Sequence, residues 1–121
     1  MSGGARPAPA ASLATFAGTW GGHTRGLSIS ARGRGSESAD SGCCDREYEL
    51  TFQIVSVRGT VTRAVATYRV TFCKRFHPYV PKIVTGQAGK LVLRNGVVTN
   101  TLTKDFFCSE PAWGATGLCG A

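Results

Sequence analysis

Apolar and polar residues alternate along most of the chain from Phe16 onward, and glycine-bearing turns separate the alternating stretches. Alternation is the pattern of a β-strand with one buried face, whereas an amphipathic helix repeats its apolar positions about every 3.6 residues. No stretch after residue 15 has a convincing helical repeat. The pattern therefore predicts one all-β domain over residues 16–121. A leader of small residues and prolines, residues 1–15, is predicted to be disordered.

The strongest strand pair is predicted for residues 48–57 and 61–73. Alternation places Tyr48, Leu50, Phe52 and Ile54 on one face of the first strand. It places Ala64, Ala66, Tyr68, Val70 and Phe72 on one face of the second. A slip of one residue would move a whole apolar set to the other face of the sheet. In a regular ladder, a two-residue loop at 58–59 would put the two apolar sets on opposite sides of the sheet, whereas a three-residue loop at 58–60 puts both on the same side. That register places Glu49 opposite Arg69, a favourable cross-strand pair.

Shorter strands are predicted on both sides of this pair. Asn95-Gly96 between apolar runs indicates a tight hairpin with Leu93 opposite Val98, because both turn positions need positive φ. A further hairpin is predicted around residues 32–35, and residues 82–85 are predicted to form an edge strand or loop. The count reaches about eight short antiparallel strands, which predicts a meander that closes as a small β-barrel, with a β-sandwich as the alternative.

Five cysteines, at positions 43, 44, 73, 108 and 119, indicate the compartment. Disulfides persist in oxidising compartments, and the chain has no C-x-x-C pair or Cys/His cluster that would indicate a metal site. The sequence therefore predicts a secreted or cell-envelope protein whose export signal has been removed. No transmembrane segment is expected, because no apolar run approaches the ~20 residues that a membrane helix needs.

The spacing of the cysteines suggests how they pair. Cys108 and Cys119 bracket a short loop and are predicted to clasp the tail to the barrel. In the predicted register Cys43 shares a face with Cys73, which favours a bridge between them and leaves Cys44 as the odd thiol. A bridge from Cys44 to Cys73 and a bridge between the neighbouring Cys43 and Cys44 stay open as alternatives.

Charge bears on the choice of partner. Lys and Arg number 14 and Asp and Glu number 7, which gives a formal net charge of +7 at pH 7. A basic surface permits contact with anionic polymers. The arginines are spread along the chain without a long run of like charges, so nucleic acid is not the expected partner. Arginine, glycine, alanine, valine and threonine together are typical of a high-GC genome, such as that of an actinobacterium.

Three function classes remain open. The first is a binding protein that contacts a protein partner or an anionic surface polymer through its loops and basic surface. The second is a carrier that holds a small apolar ligand inside the barrel, which needs an internal cavity of roughly 300 Å³ or more. A hydrolase is a distant third, because neither histidine lies in a nucleophile motif. No catalytic residue, metal or cofactor is predicted.

Five residues are candidates for ligand binding. His23 and Arg25 alternate on one strand and can hold an anion through charge-assisted hydrogen bonds. Trp20, Tyr48 and Tyr68 are candidates for the interior of the barrel. Because large aromatic side chains leave little room inside a small barrel, the two tyrosines also favour a filled interior.

Two resemblances add to these predictions. Gly18-Thr19-Trp20 resembles the G-x-W opening of lipocalin-like and avidin-like barrels, and this likeness implies an eight-stranded barrel whose tryptophan packs across one end. The opening at 16–29 and the ending at 107–121 are similar to those of small exported actinobacterial proteins of unknown function. That similarity implies export and the terminal disulfide, and it implies no activity.

Overall fold

The chain folds as a closed antiparallel β-barrel. The structure, a computed structural model, describes residues 7–109 and residue 119. Its elements are α1 (Leu13–Phe16), β1 (Gly18–Gly22), β2 (Arg25–Ile29), β3 (Arg34–Ser41), β4 (Asp45–Thr60), β5 (Arg63–Arg75), β6 (Ala88–Arg94), β7 (Val97–Asn100) and β8 (Phe106–Cys108). Each strand pairs with the next along the chain, and β8 returns to β1. The predicted eight-stranded barrel is confirmed, and the sandwich alternative is wrong.

The register of the central hairpin differs from the prediction. β4 and β5 are joined by a two-residue turn at 61–62, and Glu49 lies opposite Lys74 rather than Arg69. The ladder contains two irregularities, one at Val55 on β4 and one at Thr71 on β5. A bulged residue on one strand reverses which residues face inward beyond it. With the bulge at Val55, the apolar sets of both strands face inward although the turn at 61–62 has two residues. A regular ladder with the same turn would place one of the two sets on the outer face.

The second bulge changes which side chains of β5 are buried. The inward face runs through Ala64, Ala66, Tyr68 and Val70 as predicted. Beyond Thr71 the alternation reverses, so Phe72, predicted to face inward, is 48% exposed. Cys73 takes the inward position instead and packs against the core.

The smaller hairpins fit the prediction more closely than the last strand does. Leu93 lies opposite Val98, and the turn at 30–33 joins β2 to β3. Residues 82–85 form no strand, and the eighth strand is β8 near the C-terminal end. Two prolines in the connection between β5 and β6 account for the difference, because proline cannot donate the hydrogen bond that a strand ladder needs.

The second half of the predicted leader packs on the barrel. Ala10 forms a bridge with Thr60, and α1 buries Phe16 completely. The indole nitrogen Nε1 of Trp20 donates a hydrogen bond of 2.9 Å to the backbone oxygen of Phe16. The prediction of disorder is therefore wrong for residues 10–15, whereas residues 1–6 of the leader lie outside the described part of the chain.

One of the two predicted disulfides is present. Cys108 is bonded to Cys119 as predicted, and the intervening residues 110–118 lie outside the described part. The predicted bridge between Cys43 and Cys73 is wrong, because Cys43 is bonded to Cys44 and Cys73 is a free thiol. Cys73 lies opposite Leu50, whereas Cys43 and Cys44 lie in the turn before β4 begins, which places Cys73 out of their reach.

Side chains fill the interior of the barrel. The rings of Phe52 and Tyr68 lie 4.3 Å apart. Gly35 faces the Phe52 ring and Gly89 faces the Tyr68 ring, so closely that a Cβ atom at either glycine would overlap the ring. The two rings therefore occupy space that side chains on β3 and β6 would otherwise take.

Candidate anion-binding surface

The meander sorts its connections into two groups. Because consecutive strands run in opposite directions, alternate connections meet at the same end of the barrel. The turns at 30–33, 61–62 and 95–96 form one end, which we call the arginine end, and α1 lies there because Leu13 packs on Gly33. The connections at 23–24, 42–44, 76–87 and 101–105 form the opposite end, which we call the loop end.

Five arginines lie in or next to the turns of the arginine end, and all five are exposed. They are Arg32, Arg34, Arg58, Arg63 and Arg94. Within residues 7–109, five of the six Asp and Glu residues lie towards the loop end or in its connections, and the sixth, Glu37, is buried in the middle of β3. The ion pairs found in that range involve Arg46 and His77, both of them towards the loop end.

Three of these arginines line one shallow cleft on the outer face of the barrel. Arg63 on β5 lies directly opposite Arg94 on β6, and Arg58 lies on the neighbouring strand β4. The cleft has a volume of about 330 Å³. Like charges that face each other across two strands destabilise a sheet. An anion between the three guanidinium groups would remove that repulsion and form charge-assisted hydrogen bonds with them.

The predicted anion pair His23 and Arg25 lies at the loop end of the barrel, away from the arginine end. His23 is exposed in the turn between β1 and β2. Arg25 Nε donates a 2.7 Å hydrogen bond to the backbone oxygen of Phe106, and its Nη1 donates one of 3.1 Å to the backbone oxygen of His23. The guanidinium also lies 4.5 Å from the centre of the Phe106 ring. These contacts hold β8 against β2, so we interpret Arg25 as part of the barrel closure.

The two candidate tyrosines belong to a buried polar network around Glu37. Glu37 is 1% exposed and lies between Leu27 and Leu50 on the adjacent strands. Asn100 Nδ2 donates a 2.8 Å hydrogen bond to Glu37 Oε1, and the Thr103 hydroxyl donates one of 2.7 Å to Oε2. The carboxyl group therefore ties β3 to the end of β7 and to the connection at 101–105.

Tyr48 links this carboxyl group to a second one. Its hydroxyl lies 2.7 Å from Glu37 Oε2 and also contacts Asp105 Oδ2. The Tyr48 hydroxyl can donate its one hydrogen to only one carboxylate at a time. For both contacts to be hydrogen bonds, one of the two carboxyl groups must carry a second proton. Burial raises the pKa of Glu37, and its three hydrogen bonds offset part of that increase. Because its pKa is raised, Glu37 binds a proton more tightly than a solvated carboxyl group does, which favours Glu37 as the carrier of this proton.

Tyr68 completes the network from the opposite side. Its hydroxyl donates a 2.6 Å hydrogen bond to Asn100 Oδ1, and the backbone nitrogen of Leu102 donates to the same oxygen. The polar ends of Tyr48 and Tyr68 thus contact protein groups inside the barrel. Trp20, the fifth candidate, is also buried and has its own backbone partner at Phe16.

The sequence predictions missed both the arginine end and the Glu37 network. The arginines are scattered along the chain, but they gather once alternate turns of a meander are assigned to the same end. Glu37 shares its strand face with Gly35 and Ala39, which also point inward. Strand alternation alone could therefore have placed this carboxyl group in the core.

The chain was compared with protein-family models, curated proteins and solved structures, and none of them matched. Within the described residues no helix has the length and apolar character to cross a membrane. The assignment of a function therefore depends on the geometry and charges of the barrel itself.

Proposed function

We propose that this chain is an exported, disulfide-stabilised β-barrel protein that binds an anionic surface polymer through its arginine end and does not act by catalysis. The observation that carries the proposal is the pair Arg63 and Arg94, placed directly opposite each other beside Arg58. This arrangement does not stabilise the fold, because the two like charges that face each other repel. A bound anion turns the same arrangement into a favourable one.

Several features support a polymer rather than a small anion. The five arginines belong to three separate turns, so their field extends across one whole end of the barrel. A chain of repeated negative charges can contact many of them at once, and each contact adds to affinity through release of bound counterions. Protein interfaces usually have an apolar centre. Of the exposed large hydrophobic residues in the described part of the chain, half (Phe76, Tyr79 and Val84) lie at the loop end, in the connection at 76–87.

Export is supported by the covalent chemistry of the chain. Two disulfides, Cys43–Cys44 and Cys108–Cys119, are the kind of bond that persists outside the reducing cytosol. The filled interior favours an outer surface over an internal site, because Phe52 and Tyr68 occupy the space that the carrier alternative requires.

The proposal is tested by titrating the protein with heparin, a soluble sulfated polymer, at several salt concentrations. Wild type is expected to bind with an affinity that falls as salt rises. The double variant R63A/R94A removes two contacts and is expected to bind about tenfold more weakly or worse, with a salt slope lower by about 1 to 2. The control K82A/K90A removes two exposed lysines outside the arginine end and has the same net charge.

The outcomes of this experiment are distinct. Loss of affinity in R63A/R94A with near wild-type affinity in K82A/K90A supports the arginine end as the binding surface. Equal losses in the two variants would show that only the net charge matters. Affinity that does not change with salt would contradict an electrostatic role.

A further inference from the structure

A second concave surface lies on the outer face of the barrel, across β1 to β5. It is a groove of about 700 Å³, within the usual range for ligand sites. A row of hydroxyl side chains crosses it, one from each strand: Thr19, Ser28, Ser36, Thr51 and Thr71. The sheet register sets this row, because Ser28 lies opposite both Thr19 and Ser36, and Ser36 lies opposite Thr51.

The lining of the groove offers many hydrogen bonds and little charge. Each hydroxyl can donate one hydrogen bond and accept two. Thr51 and Thr71 have their hydroxyl oxygens 2.8 Å apart, which fixes the row where β4 meets β5. Gln53 is held in the wall of the groove by a 2.9 Å hydrogen bond from its Nε2 to the backbone oxygen of Arg32. Arg34 is the charged residue among those lining the groove, and no lining residue is acidic.

The groove is continuous with the arginine end. Arg34 belongs to both surfaces. The outward face of β4 carries Gln53 in the groove and Arg58 in the arginine cleft, five residues apart. At about 3.3 Å per residue this is roughly 17 Å along the strand. A polymer of a few repeating units can therefore reach from the groove to the cleft.

We propose that the anionic polymer is an acidic polysaccharide, whose sugar hydroxyl groups bind the hydroxyl row while its acidic groups bind the arginines. This inference rests on the proposed function, because it names the class of polymer that the same surface binds. A polysaccharide combines many hydroxyl groups with spaced negative charges, and the two adjoining surfaces have the complementary chemistry. The hydroxyl row supplies donors and acceptors, and the arginine end supplies the positive charge.

Other polyanions fit the groove less well. Inorganic polyphosphate carries a charge on every unit and has no chain of hydroxyl groups, so it matches the arginines but not the hydroxyl row. A single-stranded nucleic acid binds through aromatic side chains on which its bases stack, and the residues lining the groove include none. The two probes, heparin and polyphosphate, therefore separate recognition of sugars from recognition of charge alone.

The test uses a double variant, T19V/T51V, that removes two hydroxyl groups of the row with little change in shape. Valine is favourable on an outward strand position, so the barrel is expected to fold, and a thermal melt checks this. T19V/T51V is expected to bind heparin about tenfold more weakly and polyphosphate as wild type does. The control T67V/T99V makes the same change at two strand threonines outside the groove and is expected to leave both affinities unchanged.

The results separate this inference from the proposed function. If R63A/R94A weakens both polymers and T19V/T51V weakens neither, the arginine end binds polyanions and the polysaccharide inference is overturned. Equal weakening of both polymers by T19V/T51V overturns it as well, because the groove would then not distinguish sugars. If wild type binds neither polymer, both proposals are overturned.

Discussion

The two ends of the barrel differ in whether their charged groups have partners within the protein. Towards the loop end, Glu37 is buried and both of its carboxyl oxygens have hydrogen-bond partners inside the protein. At the arginine end, Arg63 and Arg94 are exposed and face each other. The first arrangement satisfies polar groups within the fold, whereas the second leaves their hydrogen-bonding capacity for something outside it. We therefore expect the Glu37 network to contribute more to stability than the arginine end, where we propose the binding surface.

The comparison has a physical basis in burial. A buried polar group without a partner costs much more than a hydrogen bond gains, so a network such as that of Glu37 must be complete. An exposed arginine is solvated by water and carries only a small penalty from a like-charged neighbour. Substitutions at the two ends should therefore change stability by different amounts.

The largest effect is expected at Glu37. E37A leaves the Asn100 amide and the Thr103 hydroxyl buried without their acceptor, and we expect the free energy of unfolding to fall by about 3 kcal/mol. The control E49A removes a carboxylate that forms an exposed ion pair with Arg46, and a loss of about 1 kcal/mol or less is expected. Chemical denaturation at pH 5 measures both. Equal losses would contradict the assignment of stability to the Glu37 network.

Part of this contrast was accessible from the sequence. Alternation predicted the barrel and the inward faces of its central strands, because burial of one face imposes a period of two residues. The register has no comparable signal, because the turn lies at 61–62 rather than at 58–60 and the bulge at Val55 keeps the apolar faces inward there; Glu49 consequently lies opposite Lys74 instead of Arg69. The pairing of Cys43 with Cys44 depends on that same register. Local pattern thus determines the faces of the strands, whereas the offset between strands depends on where the turn lies and on the two bulged residues.

The candidate site depends on contacts between distant parts of the chain. Arg63 and Arg94 are far apart in sequence and meet only because β5 pairs with β6 in one particular register. Likewise, Glu37 reaches Asn100 and Thr103 only after the barrel has closed. Charge and alternation predict a basic β-barrel, but they do not predict which charges become neighbours.

A medium effect is expected in the dependence of stability on pH. Burial raises the pKa of Glu37 above its ordinary value of 4.5. The folded state therefore binds this proton more tightly than the unfolded chain does. Its contribution is complete below the unfolded pKa and is lost as the pH rises towards the folded pKa, with a slope of up to about 1.4 kcal/mol per pH unit.

The variant E37Q isolates this contribution. Its amide imitates the protonated carboxyl group, so the free energy of unfolding should change less with pH than in wild type, and E37Q should gain on wild type as the pH rises. Denaturation curves from pH 4 to pH 9 measure the difference. A wild-type curve that stays parallel to that of E37Q would show that Glu37 does not hold the extra proton.

The smallest effect is expected at the arginine end, and its sign is opposite. R63Q removes the repulsion between Arg63 and Arg94, so the free energy of unfolding should rise by about 0.2 to 0.5 kcal/mol. Binding of heparin should weaken in the same variant. Thermal melts at low salt measure the gain, which should shrink at high salt because ions screen the repulsion. A loss of stability in R63Q would instead assign Arg63 to the fold and remove the distinction between the two ends.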